Sequence, residues 1–142
     1  MIKYLLLSFV YFTSLFQEGN GCPIIVSRRV DISIVNSLPP KTAALTVHCK
    51  SKDDDLGNHT LTVNQDFHFD FCEKPFSTLF TCDLAWGNFV STFQVFNAKW
   101  FFVLCDGKHC VYEAKESAIY SSDGEPWGTW ICADGKNCYP DS

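Results

Sequence analysis

Along most of the chain, apolar and polar residues alternate with a period of two. That is the period of a strand with one face in a core and the other in water. In RVDISIVN, Val30, Ile32 and Ile34 share one face against Asp31 and Ser33. AALTVHCK sets Leu45, Val47 and Cys49 against Thr46 and His48, and HTLTV offers Leu61 and Val63. FHFDF turns Phe67, Phe69 and Phe71 inward and His68 and Asp70 outward. STLFTCDLAW, FVSTFQVFN, WFFVLC, CVYEAKE, SAIYS and WGTWIC read as further strands. The paired prolines of SLPPKT break the pattern, because they cannot occupy a central strand. Turn residues recur about every ten positions, and no amphipathic helix emerges. The pattern predicts an all-β fold, an antiparallel sandwich or barrel.

The N-terminus departs from this pattern. Lys3 precedes an apolar run from Tyr4 to Phe16, and Gly19 and Gly21 follow it. The run has the length of a signal-peptide core and is too short to span a bilayer. The expectation is a signal peptide over residues 1–21, a single domain over 22–142, and secretion without membrane insertion after cleavage. About 120 residues would remain, enough for one domain with a sizeable core.

All eight cysteines follow the signal run: Cys22, Cys49, Cys72, Cys82, Cys105, Cys110, Cys132 and Cys138. In a secreted chain an even count reads as a disulfide framework, but eight cysteines allow 105 connectivities and spacing does not choose among them. WFFVLCDGKHCVY and GTWICADGKNCY echo each other, each with an Asp-Gly-Lys turn between cysteines. Asp-Gly favours tight hairpins, so two such hairpins are expected there. Asn58-His59-Thr60 is an N-glycosylation sequon.

Net charge is -5, with Arg28-Arg29 the only basic pair, which argues against a nucleic-acid partner. The stretch SKDDDLG, from Ser51 to Gly57, concentrates three carboxylates. Calcium spacing fails, because counting from Asp53 puts Asn58 at the sixth position and Asn64 at the twelfth, where an EF-hand needs Gly and Glu. The flanking Lys52, Gly57 and sequon describe a wet loop, unsuited to raising a carboxyl pKa for acid catalysis. An Asx-type turn between two strands is the simpler reading, with Leu56 tucked onto the core edge. G-x-S-x-G and H-E-x-x-H are absent, and an even cysteine count leaves no spare nucleophile. His48, His59, His68 and His109 fall on polar faces or in turns and read as solvated. No catalytic residue, metal or cofactor is expected. Most of the 13 phenylalanines belong to packing, while Trp127 and Trp130 are candidates for an exposed platform that binds sugars.

LTVHCKSKDDDLGNHTL, FHFDF, TLFTCDLAW with its Trp86, FQVFN and the pair Cys105 and Cys110 together resemble the plant self-incompatibility S-proteins and their homologues. The resemblance runs from Val30 to Tyr120 and is most specific at His48-Cys49 and Ser51 to Gly57. It implies a disulfide-stabilised antiparallel β-sandwich of about eight strands, held by two bridges among Cys49, Cys82, Cys105 and Cys110. Cys22, Cys72, Cys132 and Cys138 are additions to that set, and Cys132 with Cys138 and Cys22 with Cys72 are the expected extra pairs. In FHFDF, where the family often carries Trp, Phe69 is expected to fill the place. The best-understood members resemble ligands: the stigma secretes them, and they meet a membrane receptor on incompatible pollen. The implied function is a secreted, non-enzymatic recognition ligand for a cell-surface receptor or other extracellular protein. The alternatives are a defence effector or inhibitor, or a wall-carbohydrate module. Loops at the sandwich ends are the natural contact surface, here Ser51 to Asn58, with Asp53, Asp54 and Asp55, and Asp106 to His109, with Lys108 between.

Overall fold

The computed structural model describes residues 22, 29–74, 76–100 and 109–134. The expected signal segment lies outside these, as do most of WFFVLC, the Asp106 to Lys108 turn and the tail that holds Cys138.

The alternating runs become strands β1 (Arg29–Asn36), β2 (Leu45–Lys50), β3 (Asp55–Leu61), β4 (Asp66–Cys72), β5 (Leu79–Trp86), β6 (Phe89–Asn97), β7 (His109–Ala114), β8 (Ile119–Ser121), β9 (Pro126–Gly128) and β10 (Ile131–Cys132). They form two five-stranded sheets, ordered β4-β1-β7-β8-β9 and β10-β6-β5-β2-β3. The fold is an all-β sandwich, as the alternation predicts. Val30, Ile32 and Ile34 from the first sheet and Leu45, Val47, Leu84 and Val95 from the second are buried in the shared core. Phe67, Phe69 and Phe71 pack on it half-buried, and His68 and Asp70 face water.

Three features differ from the sequence-based expectation. First, β1 and β7 run parallel, with Asp31 level with His109 and Asn36 with Ala114. Alternation is the same in either direction, so it does not report strand polarity. Second, WGTWIC divides. β9 closes the edge of the first sheet beside β8, and three residues later β10 closes the edge of the second beside β6. The segment crosses the sandwich, so one run serves both sheets. Third, β3 begins at Asp55, earlier than the HTLTV pattern shows. His48 pairs with Asn58 and Lys50 with Asp55, so Leu56 and Gly57 together stand opposite Cys49. Gly57 has φ +77 and supplies the left-handed residue of this bulge inside the strand.

Disulfides join Cys22 to Cys72 and Cys49 to Cys82. The first ties the chain ahead of β1 to the end of β4, and the second links adjacent strands within one sheet. Cys110 and Cys132 are also disulfide-bonded. Cys105 and Cys138, which the expected pairs require, lie outside the described residues.

Candidate functional site

The turn between β2 and β3 is built by its own side chains. The Ser51 N–H donates to the Asp54 carbonyl at 2.7 Å, and the Asp54 N–H donates to Ser51 Oγ at 3.1 Å. Asp55 Oδ1 then takes two partners, accepting from the Gly57 N–H at 2.9 Å and lying 2.5 Å from His48 Nε2. The Gly57 N–H and then His48 hold the Asp55 carboxyl below the usual carboxylate range, since both favour its charged form. The Asx-type contact is present, but it serves the strand entry and its bulge.

Ser51 to Asp54 form one wall of a groove of about 700 Å³ at the end of the sandwich. Residues 50–54, 71, 72, 74 and 77–81 line it. Phe71 and Phe80, their rings tilted by 35° with centroids 4.4 Å apart, also line it, beside Cys72 of the N-terminal disulfide. The opposite wall is the β4–β5 turn. There the Lys74 carbonyl accepts from the Ser77 and Thr78 N–H groups, and the Lys74 N–H donates to Thr78 Oγ1 at 2.6 Å. Lys74 Nζ reaches Asp53 Oδ2 across the opening at 3.8 Å. Both ends are well exposed, so the pair adds little stability and parts readily. On the same turn Phe76 is 72% exposed and has φ +63. A bulky residue in the left-handed region is strained, so the turn holds an aromatic ring in water at a conformational cost.

Asp53 and Asp54 therefore lie on the groove, while Asp55 belongs to β3. His109 is exposed at the start of β7, 3.5 Å from Ser33 Oγ, and does not line the groove. Asp106 and Lys108 lie outside the described residues. Asn58 is exposed on β3, the edge of its sheet. Sequence reading missed Lys74 and Phe76. The only local hint was the proline between them, which marks a turn without showing what the turn faces.

Two expectations are overturned. Trp127 and Trp130 form no exposed platform. Their indole N–H groups each donate at 2.7 Å to a backbone carbonyl, of Gln94 and Lys115 respectively. Trp130, in the link from β9 to β10, is buried, and Trp127, in β9, packs half-buried against the core. His59 is not a solvated histidine either. It pairs with Val47 and shares the inner face of β3 with Leu61, where its ring stacks on Phe67 at 3.9 Å and its Nε2 donates to the Leu56 carbonyl at 2.8 Å.

The fold and site describe a small, disulfide-tied β-sandwich that presents a mixed apolar and charged groove at one end. The chain belongs to the plant self-incompatibility protein S1 family, whose model matches residues 31–131. S-protein homolog 5 of Arabidopsis thaliana is 35% identical over 108 residues, 74% of this chain and 80% of the relative. S-protein homolog 20 of the same plant is 31% identical over 141 residues, 96% of this chain and 91% of the relative. A solved structure described as an SPH (self-incompatibility protein homologue), from a widespread family of small, highly stable, secreted plant proteins, superimposes with a TM-score of 0.61 at 22% identity. It covers 73% of this chain and 96% of its own.

Proposed function

We propose that this protein is a secreted, non-enzymatic recognition ligand that binds a cell-surface receptor or another extracellular protein through the groove at the sandwich end. Family membership and the signal-like N-terminus support secretion. One observation carries the binding reading: Ser51 to Asp54, from the family's specific Ser51 to Gly57 stretch, form one wall, Lys74 and residues 77–79 form the other, and Phe76 stands exposed on that same turn. The shared wall fixes the scaffold, and the facing turn supplies specificity. Phe76 is the anchor, since partly strained, exposed aromatics bury large area at low entropic cost. Lys74, released from Asp53, is free to meet an acidic group. A role as defence effector or inhibitor would use the same surface on a different target, whereas the sugar-platform reading loses its tryptophans to the core.

The oxidised, secreted protein is incubated with plant membrane fractions and binding is quantified. Phe76→Ala and Lys74→Glu are each expected to weaken capture by about tenfold or more while the thermal melt stays unchanged. Undiminished capture by both variants would overturn the groove as the contact surface.

A further inference from the structure

Among the described residues each sheet ends in two edge strands, and three of the four are blunted. β3 carries the bulge at Gly57 and the sequon at Asn58. β9 has three residues and opens with Pro126, and β10 has two residues. Short strands, proline and bulges all resist pairing with another chain. β4 has none of these devices. It pairs with β1 from Arg29↔Cys72 to Val35↔Asp66 without a register shift, and among the described residues no strand pairs with its other edge. Its seven residues, DFHFDFC, include no Pro, Gly or Lys. Phe67, Phe69 and Phe71 reach the core but remain half-buried at this edge.

We propose that β4 is a homodimerisation edge, pairing antiparallel with β4 of a second copy about a two-fold axis at Phe69. The strand is self-complementary in that register. His68 of each copy lies opposite Asp70 of the other, twice, on the wet face, where an imidazole and a carboxylate pair by hydrogen bond, and as opposite charges when the imidazole is protonated. On the core face Phe69 meets Phe69, and Phe67 meets Phe71, so six half-buried rings become interior. Moving the axis by one residue loses the match. At His68 it sets Asp66 against Asp70, and at Asp70 it sets that carboxylate against itself. Asp70 also bridges Arg29, and His68 lies 3.6 Å from Asp66, so the facing polar groups join into one network across the axis. The interface is isologous, the usual form for a closed dimer, and it covers the long edge that no described strand pairs with.

Sedimentation velocity on the oxidised, secreted protein tests this from micromolar to near-millimolar concentration. The expected result is a concentration-dependent monomer–dimer equilibrium. His68→Asp places like charges opposite each other twice and should weaken dimerisation by about tenfold. The double variant H68D/D70K restores opposite signs and should regain the dimer. Both positions are exposed, and near-UV circular dichroism checks that the fold is unchanged. A monomer at every concentration overturns the proposal, whatever else the edge pairs with. A dimer indifferent to H68D overturns it too, as does a double variant that does not recover.

Discussion

The hydroxyl of Tyr112 crosses from one sheet to the other and donates to the Val95 carbonyl at 2.6 Å. Thr81 pairs with Gln94 and Phe80 with Phe96, so Val95 is the extra residue of a bulge in β6. A bulge takes its carbonyl out of the ladder, and here a side chain from the opposite layer satisfies it. Tyr112 and Val95 are almost fully buried, so no water substitutes. Tyr112→Phe should keep the fold and cost about 1–3 kcal/mol, the penalty for a buried carbonyl left unpaired. Urea unfolding of the two proteins measures the difference. Burial raises the Tyr112 pKa well above 10. The stability this represents is present below the ordinary tyrosine value and is lost as pH rises through the raised one.

Asn36 is fully buried at the end of β1 and is a polar hinge pin between the sheets. Its Nδ2 donates to the Leu61 carbonyl at 3.0 Å, and its Oδ1 accepts from the Leu38 N–H at 3.0 Å. Its backbone adds bonds to Gln65 and Asn64 on the loop that joins β3 to β4. Asn36→Ala strands a buried donor and a buried acceptor and should cost about 2–4 kcal/mol, a large share of a small domain's stability. Calorimetry should show the loss directly. A change under half a kilocalorie would mean water had replaced the side chain.

At Gly57 a Cβ would meet no atom within 4 Å, yet φ is +77. The cost of Gly57→Ala is therefore a backbone cost, about 1–2 kcal/mol. Gly57→Asn should cost less, because asparagine tolerates this region. Comparing the two melting temperatures separates backbone strain from packing, and equal losses would argue against strain as the cause.

Asp55 is held below the ordinary carboxylate range by the Gly57 N–H and by His48. A lowered acid pKa favours the fold above the unfolded value near 4, and that contribution disappears as pH falls through the folded value. Carboxyl NMR titration should find Asp55 among the last carboxylates to protonate. His48→Ala should move its midpoint up towards the ordinary value, though not fully, since the Gly57 N–H remains. An unmoved midpoint would show that the 2.5 Å contact carries no charge interaction.

How much of this was legible in the chain depends on whether the cause was local. In β1 and β4 the inward faces were readable because the pleat sends alternate side chains to opposite sides. The Ser51 to Gly57 signature identified the family, yet it did not show that Asp54 and Asp55 part company, one to a groove and the other to a strand. Alternation places His59 on the face of Leu61, and only its polar side chain made it read as solvated; the Phe67 ring that covers it comes from the other sheet. Trp127 and Trp130 stayed candidates for a surface platform because nothing nearby in sequence shows that Gln94 and Lys115 accept from them.

The sequence by itself determined the strands, the faces they bury, the cysteine complement and the family, because each follows from neighbours a few residues apart or from a contiguous motif. The tertiary structure alone decided the parallel β1–β7 pair, the crossing of the Trp127 segment between sheets, and the bond from Tyr112 to Val95. It also decided the groove that brings Asp53 to Lys74. Each of these joins residues far apart in the chain, and the energy that selects such a partner comes from burial and hydrogen bonding across the sandwich, which no local pattern encodes.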